Sequence, residues 1–277
     1  MTVVCMIANA KDEDRAALSY AASLARRLGT RLEGVCALPD PTSALIYATS
    51  PYMIGVGGAA IEGVQTAQTN LIRECRNMFE AVSAEAGLAG NATFDEQTEL
   101  PARAALRAAT LSSAIVFPQP AGCGDHALAD AFERVMMDAS LPVVLAPLEM
   151  NETGAALIAW DGSPQAARSV RSNVEILKAF SHVHIAQNAD DLGPQAENPA
   201  ARPEALAAWL TARGLDSTIH KFSGSVSEGL VDIAKRTAAE LVLAGAYGHS
   251  RAGEMLFGGA TRGLLHASNA PALLLTH

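Results

Sequence analysis

Residues 245–263 read GAYGHSRAGEMLFGGATRG, with six glycines among nineteen positions. The stretch leaves an apolar run, LVLA, and enters a helical one, ATRGLLHAS. A loop between a strand's carboxyl end and a helix N-terminus presents free N–H groups and the positive end of a helix dipole. Glycines let that backbone adopt positive φ and approach an anion with no Cβ in the way. The chemistry implied is the cradling of a phosphate. The spacing is Gly245-x2-Gly248-x9-Gly258-Gly259, which is neither GxxxxGK[ST] nor GxGxxG. Arg251 and Arg262 flank the loop and carry charge that pairs with phosphate. His249, after the second glycine, either contacts phosphate or is a loop histidine without a role.

The elements that must position this loop come in two copies. VVCMIAN (3–9), a helical stretch DEDRAALSYAASLARRLG and the run RLEGVCAL match AALIAWD (155–161), GSPQAARSVRSNVEILKAF and SHVHIAQ in order. At the far ends SSAIVFPQP (112–120) parallels AELVLAGAY (239–247), and VMMDASLPVVLAP (135–147) parallels LLHASNAPALLLTH (264–277). The shared Ala-Ser and Pro positions mark an internal repeat. Strands alternating with helices predict an α/β fold of two tandem, doubly wound parallel-sheet domains, 1–148 and 154–277. A long helix is expected over 61–87 and a shorter one over 204–214. Residues 40–60 are read as a surface loop or a flap.

The paired pattern around the glycine loop resembles the universal stress protein family. Its nucleotide-binding branch carries G-x2-G-x9-G-[S/T] between the fourth strand and the last helix, and Gly245, Gly248 and Gly258 fall on it. The resemblance covers the whole chain as two copies. It implies strand order 3-2-1-4-5 and an adenine nucleotide (ATP, ADP or AMP) as ligand, with or without Mg²⁺. It also implies that Asp161, at the end of the second half's first strand, faces the adenosine. Its bland reading is a strand-end turn residue. Ser163-Pro164 reads as a helix N-cap and first turn. One position departs from the family: Gly259 stands where a hydroxyl is expected. Thr261 either supplies that hydroxyl from the first turn or only caps the helix. The only carboxylate within 245–263 is Glu254, so a Mg²⁺ ion would need Asp161 or water.

The first half lacks these features. Asn9 stands opposite Asp161, and QPAGCGDHALADAFERV opposite the glycine loop. There Gly122 and Gly124 are one residue apart, and Asp125 and Asp130 bring negative charge that repels an anion. The first half is expected to bind no nucleotide, or a different ligand without phosphate. The resemblance further implies that the halves pair through their last strands as an internal pseudo-dimer, and it allows a homodimer of whole chains.

Composition sets the outer limits. The net charge is −9 with no basic stripe, which excludes sequence-independent nucleic-acid binding. No apolar run approaches the roughly 18 residues of a membrane span, and the first residues lack a signal-peptide pattern. Cys5, Cys36 and Cys75 read as core thiols and Cys123 as an exposed one, which fits a reducing cytoplasm. No catalytic triad, HExxH or paired metal spacing appears. The expected function is a stress-response protein that senses an adenine nucleotide through its second half. The alternatives are an interaction module that binds no nucleotide, or a slow ATPase.

Overall fold

The structure is a computed structural model. It describes residues 2–42, 58–124, 126–150, 153–190, 192–195, 197–245, 263–265 and 270–276. The chain divides into two compact units, Met1–Ala139 and Ser140–His277.

The first unit runs β1 (Thr2–Ile7), α1 (Asp12–Leu28), β2 (Arg31–Leu38), α2 (Gly58–Glu85), β3 (Ala92–Thr98), α3 (Pro101–Ala109), β4 (Ala114–Pro118) and α4 (Ala129–Asp138). Its strands lie in the order β3-β2-β1-β4, all parallel. The central runs Val3–Ile7 and Ala114–Pro118 are buried throughout, as strands with both faces covered must be. The edge strand β3 instead has only half-buried and exposed residues. α1 starts with Asp12, Glu13 and Asp14 and ends with Arg26 and Arg27, a charge order that complements its dipole. Gly29 closes it at φ 62°, and Thr30 N–H donates back to Ala25 O at 2.9 Å.

The second unit contains β5 (Val143–Ala146), β6 (Ala155–Ala159), α5 (Pro164–Ser172), β7 (His182–Asn188), α6 (Pro203–Thr211), β8 (Ser217–Phe222), α7 (Val226–Arg236), β9 (Leu241–Gly245) and β10 (Ala272–Thr276). Its sheet is ordered β8-β7-β6-β9-β10-β5, parallel except for the antiparallel β10–β5 pair. From β6 onward this is the expected order 3-2-1-4-5. β6, β9 and β10 form the buried centre, and β8 lies at the edge.

One expected helix is shorter than the periodicity predicts. Residues 162–180 read as one helix, but α5 ends at Ser172 and a separate short turn covers Val174–Leu177. Asn173 makes the break. It is fully buried, and its Nδ2 donates to Ser169 O and to Thr276 Oγ1, both at 2.7 Å. The side chain thereby ties the end of the helix to β10.

Cys5, Cys36 and Cys75 are buried free thiols and Cys123 is exposed, as expected. Among the described residues no helix is long and apolar enough to cross a membrane.

Candidate functional site

In the second unit the sheet order reverses between β6 and β9, and a crevice opens at their carboxyl ends. Such a switch point is where doubly wound sheets place ligands. Asp161, Ser163 and Gln165 line the crevice from the β6–α5 turn, and Gly245 from the end of β9. Its cavity volume is about 130 Å³.

The turn is built by local bonds. Ser163 N–H donates to Asp161 Oδ1 at 2.8 Å, an Asx turn that fixes the carboxylate at the mouth. Ser163 Oγ accepts from Ala166 N–H at 3.1 Å and caps α5, with Pro164 at the first helical position, as the sequence predicts. Gly162 has φ +72°, and a Cβ there would sit 2.2 Å from Ala201 Cβ. The carbonyl of Ala201 accepts from Trp160 Nε1–H at 2.7 Å and from Gln187 Nε2 at 2.9 Å. The segment around Ala201 is thus held against the turn, and Trp160 is a buried post beneath Asp161.

Gly245 has a second reason to be glycine. A Cβ on it would lie 3.1 Å from Ala166 N and 3.2 Å from Gln165 C. The end of β9 is therefore pressed against the first turn of α5, whose backbone cannot yield as a side chain could. Asp161 and Gly245 are brought together on the crevice. Gly248, His249, Arg251, Gly258, Gly259 and Thr261 lie outside the described residues, as do Glu254, Arg262 and His266.

Asn188, Phe222 and Val226 also line the crevice and were not read from the sequence. Asn188 Nδ2 donates to Gly224 O at 2.8 Å and its Oδ1 accepts from Asp190 N–H at 2.9 Å. The available signal was their position: Asn188 and Phe222 end β7 and β8, at the ligand-bearing edge of the sheet.

The same place in the first unit is built alike and then filled. Lys11 N–H donates to Asn9 Oδ1 at 3.0 Å, the counterpart of the Ser163–Asp161 bond, and Ala10 has φ +55° where the second unit has Gly162. Five residues beyond Asn9 stands Asp14, and five beyond Asp161 stands Ala166. Asp14 is fully buried. Its Oδ2 accepts the N–H groups of Ala8, Asn9 and Ala10 at 2.9, 2.7 and 3.1 Å. His126 adds its buried ring, with Nε2 3.9 Å from Asp14 Oδ1 and Nδ1 accepting from Leu128 N–H at 3.1 Å. Burial outweighs the three N–H bonds and raises the Asp14 carboxyl above the usual aspartate range. Asp130 is exposed in the first turn of α4, and Asp125 lies outside the described residues.

Residues 154–276 match the model of the universal stress protein family. No curated protein matches the chain. Among solved structures, a universal stress protein from Archaeoglobus fulgidus is 15% identical, covers 99% of this chain and 97% of its own, and has a TM-score of 0.66. A putative universal stress protein from Pseudomonas aeruginosa is 14% identical, with 99% and 92% covered and a TM-score of 0.56. These likenesses extend the fold over both units. The match to the universal stress protein family is to residues 154–276, within the second unit.

Proposed function

We propose that the second unit binds an adenine nucleotide in the crevice between β6 and β9, and that the protein is a stress-response sensor rather than an enzyme. The observation that carries this is the meeting of Asp161 with Gly245 at the switch point. The carboxylate is exposed and pre-oriented by its turn, and the glycine opens the G-x2-G-x9-G loop. In this reading Asp161 bonds the ribose or base. Gly248, Gly258 and Gly259 offer N–H groups to the phosphates. His249, Arg251 and Thr261 supply further polar contacts, and Mg²⁺, where bound, takes water and Asp161.

The first unit binds no nucleotide, because Asp14 already takes the three N–H groups of its turn. Within the second unit, β5 is the last strand of the first sequence repeat, and β10 is the last strand of the second. They run antiparallel with Leu145 opposite Leu273 and Val143 opposite Leu275. That pairing supports an internal pseudo-dimer, which a homodimer of whole chains would extend. The absence of a disulfide among the four cysteines suits the cytoplasm.

The test is to denature freshly purified protein and separate the supernatant by anion exchange, then to titrate the protein stripped of nucleotide with ATP, ADP and AMP. Saturable binding that Gly248→Val abolishes is the expected result. If no nucleotide raises the melting temperature at millimolar concentration, as a ligand of the native state must, the interaction-module reading replaces this one. Gly259, in place of a hydroxyl residue, is the observation in its favour.

A further inference from the structure

β7 and β8 form the edge of the second unit's sheet, away from the crevice turn. Their parallel register sets His184 opposite Thr218 and Ala186 opposite His220. Alternation puts His182, His184 and His220 on one face. His184 Nδ1 and His220 Nε2 stand 3.1 Å apart, with ring centroids 5.1 Å apart and planes at 55°. Two nitrogens each about 2.0–2.1 Å from one ion lie roughly 3 Å from each other at ordinary coordination angles. The observed N···N separation matches that distance.

We propose that His184 and His220 form a binding site for a transition-metal ion of the imidazole-preferring class, Zn²⁺ or Cu²⁺, with water completing the coordination. Among the described residues no cluster of three or more ligating side chains forms, so the protein supplies two ligands.

The protonation states suit this. Burial lowers the proton affinity of both rings. The neighbouring His220 and His182 lower His184 further, and Arg236 does the same for His220. Neutral imidazole is the form that ligates metal. One ring proton sits between the facing nitrogens as an N–H···N bond. On metal binding it moves to that ring's other nitrogen, so both facing lone pairs reach the ion and no proton is released. Arg236 is the cation beside the pair, and its Nε is held by Asp232 Oδ2 at 2.8 Å, which offsets its charge. The chain's net charge of −9 favours a cation over an anion.

The site is independent of the nucleotide crevice and is tested without nucleotide. Untagged full-length protein is given one equivalent of Cu²⁺ at pH 7.5 and examined by electron paramagnetic resonance. Superhyperfine splitting from two nitrogens is expected. His184→Gln and His220→Gln should each weaken binding at least tenfold and leave one nitrogen or none. In the wild-type protein, substoichiometric Cu²⁺ should broaden the imidazole NMR signals of His184 and His220 before those of the other histidines, a readout that needs no variant. A spectrum without two nitrogens, unchanged affinity in the folded double variant, or broadening that begins at other histidines overturns the proposal.

Discussion

Asp14 Oδ2 accepts the Asn9 N–H at 2.7 Å, and the same oxygen accepts those of Ala8 and Ala10. Three backbone N–H groups converging on one oxygen are what an anion site offers a phosphate. In the first unit the chain supplies the anion itself, from the first turn of α1. In the second unit the equivalent position is Ala166, which carries no carboxylate and leaves room for the end of β9. One exchange, acid for alanine, separates a filled turn from an open one.

Replacing Asp14 should divide charge from hydrogen bonding. Asp14→Ala removes the acceptor of three N–H groups and should cost about 2–4 kcal/mol, with water compensating part of the loss at these half-exposed residues. Asp14→Asn keeps an acceptor oxygen and drops the charge, and should be far milder at pH 7. The sign follows from the raised carboxyl. Between the unfolded aspartate value, near 4, and the raised folded value, the native state holds the extra proton. Stability from this group is therefore full below that window and falls as pH rises through it. Urea melts from pH 3.5 to 7 should show wild type losing stability relative to Asp14→Asn across the window, and parallel curves above it.

Ala10 pays a strain its counterpart avoids. At φ +55° it holds a left-handed conformation that Gly162 adopts freely. Ala10→Gly should relieve roughly 1–2 kcal/mol of strain and lose about 0.4–1 kcal/mol to the greater freedom of the unfolded chain. The net expectation is a stabilisation of about 0.5–1 kcal/mol, read as a higher urea midpoint at unchanged slope. A lower midpoint shows that the Ala10 Cβ makes contacts worth more than the strain.

What the sequence made legible was whatever lies close along the chain. The alternation of strand and helix, the Ser163-Pro164 cap and the local turns at Asn9 and Asp161 all depend on neighbours within a few residues, and each appears in the fold. The illegible features join distant positions. Asn173 meets Thr276 across 103 residues, and Trp160 meets Ala201 across 41. Asp14 illustrates a different limit. An acid in the first turn of a helix is already explained by the dipole, so nothing in its type or place announces that it turns back into the strand end. Gly245 reads in the sequence as an anion contact, and the approach of β9 to Ala166 adds a packing requirement that its local sequence does not show.

Gly162→Ala tests the tie between the turn and the segment it carries. The new Cβ would meet Ala201 Cβ at 2.2 Å and Ala201 Cα at 2.7 Å, in a backbone conformation already hostile to a side chain. The variant should lose about 2–4 kcal/mol. Displacing Ala201 also breaks the acceptor of Trp160 Nε1–H, so the tryptophan fluorescence of the native state should shift. A stable variant with an unchanged spectrum would falsify the account of Ala201 as the clamp on this turn.

Asp161 and Gly245 should respond differently, and the difference separates ligand contact from scaffold. Asp161 is exposed, and its one bond among the described residues is the local turn to Ser163. Asp161→Ala should leave the melting temperature nearly unchanged and, on the proposed function, weaken nucleotide binding at least tenfold, because a ribose hydroxyl or the base amino group would lose its acceptor. Gly245→Ala pushes β9 away from the Ala166 backbone, which cannot move aside cheaply. It should cost about 1–3 kcal/mol and weaken binding as well, since the same displacement moves the start of the glycine loop. Calorimetric titration and thermal melts on the two variants decide between the roles. Equal losses of stability in both would reassign Asp161 to the scaffold. A Gly245→Ala protein with wild-type stability would mean that β9 does not press on α5 as closely as the geometry states.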